Sequence, residues 1–443
     1  MPSVRADRLT GEETRLLDLE QRRGLPLHAA WVLVFDGAAP TLAELTEHVR
    51  ARLERVPRYR RRVVAVPLRG GRAVWADDPH LRVAYHVRVE ALPRPADEAA
   101  LARLASRVLT QRLDRDKPLW EVCLVEELRP DRFAVIVASH AALVDGERNG
   151  DIVGALLDES TSAPPSPSAS AWTPRPLPAG ARLLADSARD PREAIETLRG
   201  ALRRARDELE RHDLDPLARI GAPPRSRLNG ATGPRRRLTW LEVDLAPLRA
   251  TKDRLGGTVN DLVLTAVAGA LGRRLRDAGE ATDGLVLRAL IPVADARADR
   301  LLPAYAPLPV GIEDARRRHA EISRALDGLR ASGRAAAADA LSALEGFAPA
   351  DMIGAAARLA ARERAFNVAV INVPGPQQPR YLLGRELRAA YPAVPLAPRQ
   401  ALSIAVVSYA GRLCFGLVSD DDALPEPELL ASVLRDALRE LDR

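Results

Sequence analysis

Lysine is almost absent from this 443-residue chain: Lys117 and Lys252 are the only two among 66 basic residues. A net charge of +6 would ordinarily raise the question of nucleic acid. Arginine, alanine, leucine, proline and aspartate are abundant together, however, which is the pattern of a GC-rich genome, and charges of both signs are mixed along the chain. Aromatic residues make up 4%, too few for a series of base-stacking platforms, so no nucleic-acid partner is expected. Cysteine is equally scarce. Cys123 and Cys414 cannot form a metal ligand set, and both lie in apolar, strand-like surroundings, the pattern of buried thiols in a reduced, cytoplasmic protein with no metal site. The opening "MPSVRADRLTGEETRLLDLE" has no apolar core of a secretory signal. No apolar run reaches the roughly 18 residues of a membrane span, which leaves peripheral contact with a membrane or lipid droplet open. At 47% hydrophobic and 28% charged, the chain reads as globular and long enough for two cores.

What is present alternates between strand and helix patterns. "HAAWVLVF" (28–35) is apolar and β-branched. Thr41 with Glu44 makes a capping box, followed by Leu42, Leu45, Val49 and Leu53 at helical spacing. "AVWADDPHLRVAYHVRVE" reads as extended pieces broken at Asp-Asp-Pro, and a helix is expected over 97–112 with Leu101, Leu104 and Val108 on one face. "PLWEVCLVEEL", "RPDR" and "FAVIVAS" form a hairpin. Residues 161–180 are rich in Ser, Pro and Ala, like a linker, and a long helix is expected from the Asp190 cap through Leu209. The expected organisation is an N-terminal unit (1–160), a linker with a long helix (161–234) and a C-terminal unit (235–443), each of α/β character.

His140 falls just beyond the second strand of the hairpin, in "SHAALVDG", where a rigid sheet would hold it at a loop. A neutral histidine takes a proton from a hydroxyl or amine near pH 7, and needs an oriented ring and a braced loop to do so. Asp145 could brace that loop, and Gly146 would allow the tight turn that follows. By itself the spacing is a weak signal, since a lone histidine after a strand is more often structural.

The stretch "SHAALVDG" resembles the HHxxxDG signature of the superfamily that contains chloramphenicol acetyltransferase, nonribosomal peptide condensation domains and the bacterial wax ester synthase/diacylglycerol acyltransferases. The last family is the specific likeness. "LDRDKPLWEVCLVEEL" (113–128) resembles its PLW segment, "GGTVNDLVLTAVAGAL" (256–271) its helix with an Asn-Asp pair, and residues 371–420 its C-terminal signature. The resemblance implies two chloramphenicol-acetyltransferase-like domains, each a mixed sheet with helices, joined by a crossover linker with an active-site tunnel between them. It implies an acyltransferase with no bound cofactor, acyl-CoA as co-substrate, and a long-chain alcohol, diacylglycerol or natural-product hydroxyl as acceptor. A carrier-protein thioester donor or an amine acceptor is the alternative chemistry, and an inactive binding homologue the alternative class.

In that family the second histidine of the signature is the base, which is His140 here, while Asp145 and Gly146 shape and orient its loop. The first histidine is replaced by Ser139, and "ERNGDI" (147–152) carries more charge than the family pattern; both changes fall where an acceptor would be selected. Ser139, Asn260, Asp261 and Asn372 are therefore the expected substrate-binding residues. Asp261 has a second reading, as a cap three residues after Thr258, and Asn372 in "NVPGP" as a turn residue. Trp120 reads as core, and "GPRRR" (233–237) as a solvated charge run rather than a site for CoA phosphates or an anionic membrane. His28, His48, His80, His86, His212 and His319 have no motif context.

Overall fold

The computed structural model describes residues 7–67, 72–129, 131–144, 151–161, 172–177, 180, 223–295, 300–331 and 366–442. Asp145, Gly146 and the helix expected from Asp190 lie outside the described residues. The first half runs β1 (Asp7–Arg8), α1 (Gly11–Arg23), β2 (His28–Asp36), α2 (Leu42–Arg52), β3 (Arg61–Val64), β4 (Val74–Asp77), α3 (Val83–His86), β5 (Val87–Val89), α4 (Glu98–Thr110), β6 (Trp120–Arg129), β7 (Arg132–His140) and α5 (Ile152–Leu156). The second runs β8 (Arg236–Asp244), α6 (Leu245–Leu255), α7 (Val259–Asp277), β9 (Val286–Asp295), β10 (Arg300–Pro309), α8 (Ala315–Ala331), β11 (Val368–Val373), β12 (Tyr381–Leu382), β13 (Arg385–Ala393), β14 (Leu402–Tyr409), β15 (Arg412–Asp420) and α9 (Pro427–Leu441).

Local chemistry sets several of these elements. Thr10–Glu13 and Thr41–Glu44 close reciprocal capping boxes on α1 and α2, and Gly24 ends α1 in the left-handed conformation that only glycine adopts freely. Asp97 caps α4, whose Leu101, Leu104 and Val108 are buried as their spacing predicts. The "HLRVAYHVRVE" stretch departs from expectation: Val83–His86 is one helical turn rather than extended chain. On α2, Leu42 stays partly exposed while Leu45, Val49 and Leu53 are buried.

Two six-stranded sheets and one three-stranded sheet result. The first large sheet has the order β12-β13-β2-β7-β6-β5, antiparallel throughout except for the β5–β6 pair. The second has the order β10-β9-β11-β14-β15-β8 and is parallel at β9–β11 and β11–β14. Both are mixed sheets, as the expected fold class requires. Strands β12 and β13 come from the C-terminal stretch yet pair into the N-terminal sheet, with β13 lying antiparallel to β2. Alternation along β11 sorts its residues between two cores: Ala369, Ile371 and Val373 pack toward the N-terminal sheet, while Val368 and Val370 pack with α7 and α9. No single helix among the described residues is long and apolar enough to cross a membrane.

Candidate active site

His140 is the last residue of β7 and pairs across the sheet with His28, the first residue of β2. Their rings meet edge to face with centroids 5.7 Å apart. Between them comes Glu20, from the inward face of α1: its carboxylate oxygens lie 3.2 Å from His28 Nε2 and 3.6 Å from His140 Nε2. All three side chains are buried. Arg115, in the part of the PLW segment that precedes β6, donates to Glu20 Oε2 at 2.9 Å and to the Leu17 carbonyl at 2.6 Å.

This cluster fixes the chemical state of His140. The Ala142 N–H donates to His140 Nδ1 at 3.0 Å, so the neutral ring carries its proton on Nε2, facing Glu20. Burial pushes the His140 pKa below the ordinary histidine range, against the opposing pull of the Glu20 carboxylate. Burial also works against ionised Glu20, but its contacts with His140 and His28 outweigh that cost and hold the carboxyl well below the usual carboxylate range. With Arg115 as its countercharge, Glu20 is a carboxylate beside a neutral imidazole. The backbone around His140 is equally fixed: its N–H donates to Leu119 O, and the Ala141 N–H donates to Leu27 O, each at 2.9 Å.

Ser139 does not share this environment. Successive strand residues face opposite sides of a sheet, and Ser139 pairs with Trp120 on the side away from His140. It is buried, and its hydroxyl meets that of Tyr59. The structure brings together two other expected residues, since Asn372 Nδ2 donates to Asn260 Oδ1 at 3.2 Å. Asp261 is fully buried at the start of α7, its N–H donating to the Thr258 cap while its carboxylate meets Thr258, Ser323 and Arg330. The capping reading of Asp261 is the one its contacts support. No hydrogen bond or ion pair among the described residues joins Asn260, Asp261 or Asn372 to His140. Trp120 is core, as its position predicts.

Three residues of the His140 cluster are not singled out by the sequence, although Arg115 lies within the PLW-like segment. Glu20 had one signal: with Glu13 it occupies the apolar spacing Glu13, Leu16, Leu17, Glu20, so two acids sit on the buried face of an amphipathic helix. His28 and Arg115 gave none. Of the "GPRRR" run, Arg235 and Arg237 keep solvent-exposed side chains, as a solvated charge run predicts, while pairing with Asp421, Asp422 and Glu428. Only Arg236 departs from that reading: it is buried against Asp420. Cys123 and Cys414 are free, buried thiols, each pushed up to about 12 by burial.

The chain matches two family models: the wax ester synthase/diacylglycerol acyltransferase catalytic domain over residues 9–263, and the WS/DGAT C-terminal domain over 303–442. A probable diacylglycerol O-acyltransferase of Mycobacterium tuberculosis is 31% identical and covers 99% of both chains. The wax ester synthase/diacylglycerol acyltransferase from Marinobacter aquaeolei VT8 superposes with a TM-score of 0.71 at 27% identity, covering 98% of each chain. The first condensation domain of the calcium-dependent antibiotic synthetase shares the fold at a TM-score of 0.62 and 18% identity, covering 99% of this chain and 96% of its own. The expected fold class and the expected enzyme class both hold, and the chain belongs to the wax ester synthase/diacylglycerol acyltransferase family of acyltransferases.

Proposed function

We propose that this acyltransferase moves an acyl group from acyl-CoA to an acceptor hydroxyl, with His140 as general base. The supporting observation is the state of His140: buried and neutral, with Nε2 against the Glu20 carboxylate and the lone pair on Nδ1. The acceptor oxygen attacks the thioester carbonyl carbon as its proton passes to His140. Collapse of the tetrahedral adduct breaks the C–S bond, and the thiolate of CoA takes the proton back from the imidazolium. No acyl-enzyme is required and no net proton is released. The Ala142 amide occupies the Nδ1 lone pair at 3.0 Å, so the acceptor hydroxyl has to replace it before the proton moves. A base placed this way contributes about a hundred- to ten-thousand-fold. Asp145 and Gly146 keep the loop-shaping role that the family likeness gives them, and Asn260 with Asn372 forms a polar pair at the first turn of α7.

Among long-chain alcohols, diacylglycerol and natural-product hydroxyls, the activity named for the mycobacterial relatives favours diacylglycerol, reached by peripheral contact with a lipid surface. The test is release of free CoA from a panel of acyl-CoAs with and without each acceptor, in wild type and in His140→Ala. Acceptor-dependent release that is lost in a folded His140→Ala protein is the expected result. Turnover with carrier-protein thioesters alone would remove acyl-CoA as donor, and an equally active variant would remove His140 as base.

A further inference from the structure

The signature segment leaves the sheet at His140 and re-enters described structure at Asp151, ten residues beyond Ala141. Its near end is held by backbone bonds to β2 and to Leu119. We propose that its far end is held by a buried clamp, Tyr59–Asp151 with Ser139, which makes Tyr59 and Asp151 positioning residues for the reaction; the inference rests on the reading of His140 as base.

Asp151 caps α5, a helix of only five residues, through a 3.4 Å bond from the Val153 N–H. So short a helix has little stability of its own. The added anchor is Tyr59, whose hydroxyl donates to Asp151 Oδ1 at 3.0 Å. Tyr59 is itself fixed from the PLW segment. The Trp120 Nε1–H donates to the Tyr59 carbonyl at 2.7 Å, the two rings lie 6.3 Å apart, and Trp120 stacks on His86 at 4.4 Å. From β7 the Ser139 hydroxyl reaches the Tyr59 hydroxyl. One phenol therefore joins the strand that ends in His140 to the residue where the segment returns. Ser139, at the position of the family's first signature histidine, becomes part of this joint instead of touching substrate.

Asp151 is an uneconomical residue unless it holds something. It is buried, it has no countercharge and its Oδ2 no hydrogen-bond partner among the described residues, and burial raises its carboxyl to about 6. Such a group costs stability wherever it is ionised.

The experiment compares wild type, Tyr59→Phe, Asp151→Ala and Asp151→Asn by hydrogen–deuterium exchange over Asp151–Leu157 and by CoA release. Loss of one hydrogen bond to a carboxylate is expected to speed exchange of that peptide about tenfold in Tyr59→Phe and Asp151→Ala. Asp151→Asn keeps an acceptor oxygen and is expected to stay within about twofold of wild type. The kcat is expected to fall in the same order while KM for acyl-CoA holds. Unchanged exchange in Tyr59→Phe, or a rise spread evenly over the whole chain, overturns the clamp. Exchange does not depend on turnover, so a wild type that releases no CoA would defeat the proposed reaction and leave the clamp to be judged on exchange alone.

Discussion

Two carboxylates border the strand that ends in His140, and burial acts on them with opposite results. Glu20 meets two histidines, whose contacts outweigh its desolvation; among the described residues Asp151 meets a phenol and backbone amides, which do not. The difference assigns Glu20 a permanent negative charge directed at His140 Nε2. Replacing it by glutamine removes an interaction that raises the His140 pKa. The sign follows: in Glu20→Gln the histidine becomes more acidic, and the acid limb of kcat/KM moves to lower pH. With His140 as the proposed base, the wild-type limb is expected below the ordinary histidine value of 6.5, since burial lowers the His140 pKa. At neutral pH both proteins hold His140 in its base form, so the variant loses orientation rather than protonation state. A fall in kcat on the order of tenfold to a hundredfold is expected, by analogy with carboxylates that orient metal-bound histidines. A profile measured between about pH 5 and 9 checks both statements, and a limb displaced upward would contradict this role for Glu20.

Elements whose causes are local were legible in the sequence. The capping box of α2 acts over three residues and the β6–β7 hairpin over one turn, so spacing alone reports them. Close approach between elements depends on a partner distant in the chain, which spacing cannot name. Helix α7 shows the difference at Gly272, where a Cβ would overlap the Val310 carbonyl oxygen after β10. Gly328, in α8, has open space at the same test. Alanine ordinarily stabilises a helix by about 1 kcal/mol over glycine. Gly328→Ala is expected to show that gain, whereas Gly272→Ala is expected to lose about 1–3 kcal/mol because backbone has to shift. Denaturant midpoints at equal m-values give the comparison, and equal gains at both sites would mean that the α7 approach relaxes at no cost.

At the scale of the whole molecule, what the sequence concealed was the destination of β13. Leu387 and the run from Ala389 to Ala393 are buried, but nothing in their order says against which sheet. For the same reason the grouping of Glu20, His28 and His140 stayed hidden: His28 and His140 are neighbours only because β2 and β7 pair from their far ends. Placed beside β2, β13 also binds the other sheet. Tyr391 stacks on Trp240 of β8 at 5.1 Å, and Glu242 of β8 meets both Arg388 and the Tyr391 hydroxyl. On β15, Gly416 lets the Pro392 carbonyl approach so closely that a Cβ would overlap it. One strand thus carries load in both sheets, and separating them would strip β2 of a partner. The two sheets are therefore expected to unfold in one transition. Trp31, Trp75 and Trp120, three of the five tryptophans, weight fluorescence toward the N-terminal half, and helical circular dichroism weights the long buried α7 of the other half. Their midpoints are expected to coincide in wild type and to fall together in Gly416→Ala, by about 1–3 kcal/mol for an overpacked contact. If the fluorescence midpoint held while the dichroism midpoint dropped, β13 would be a passive edge of the first sheet, and the coupling inferred from Pro392, Tyr391 and Glu242 would be wrong.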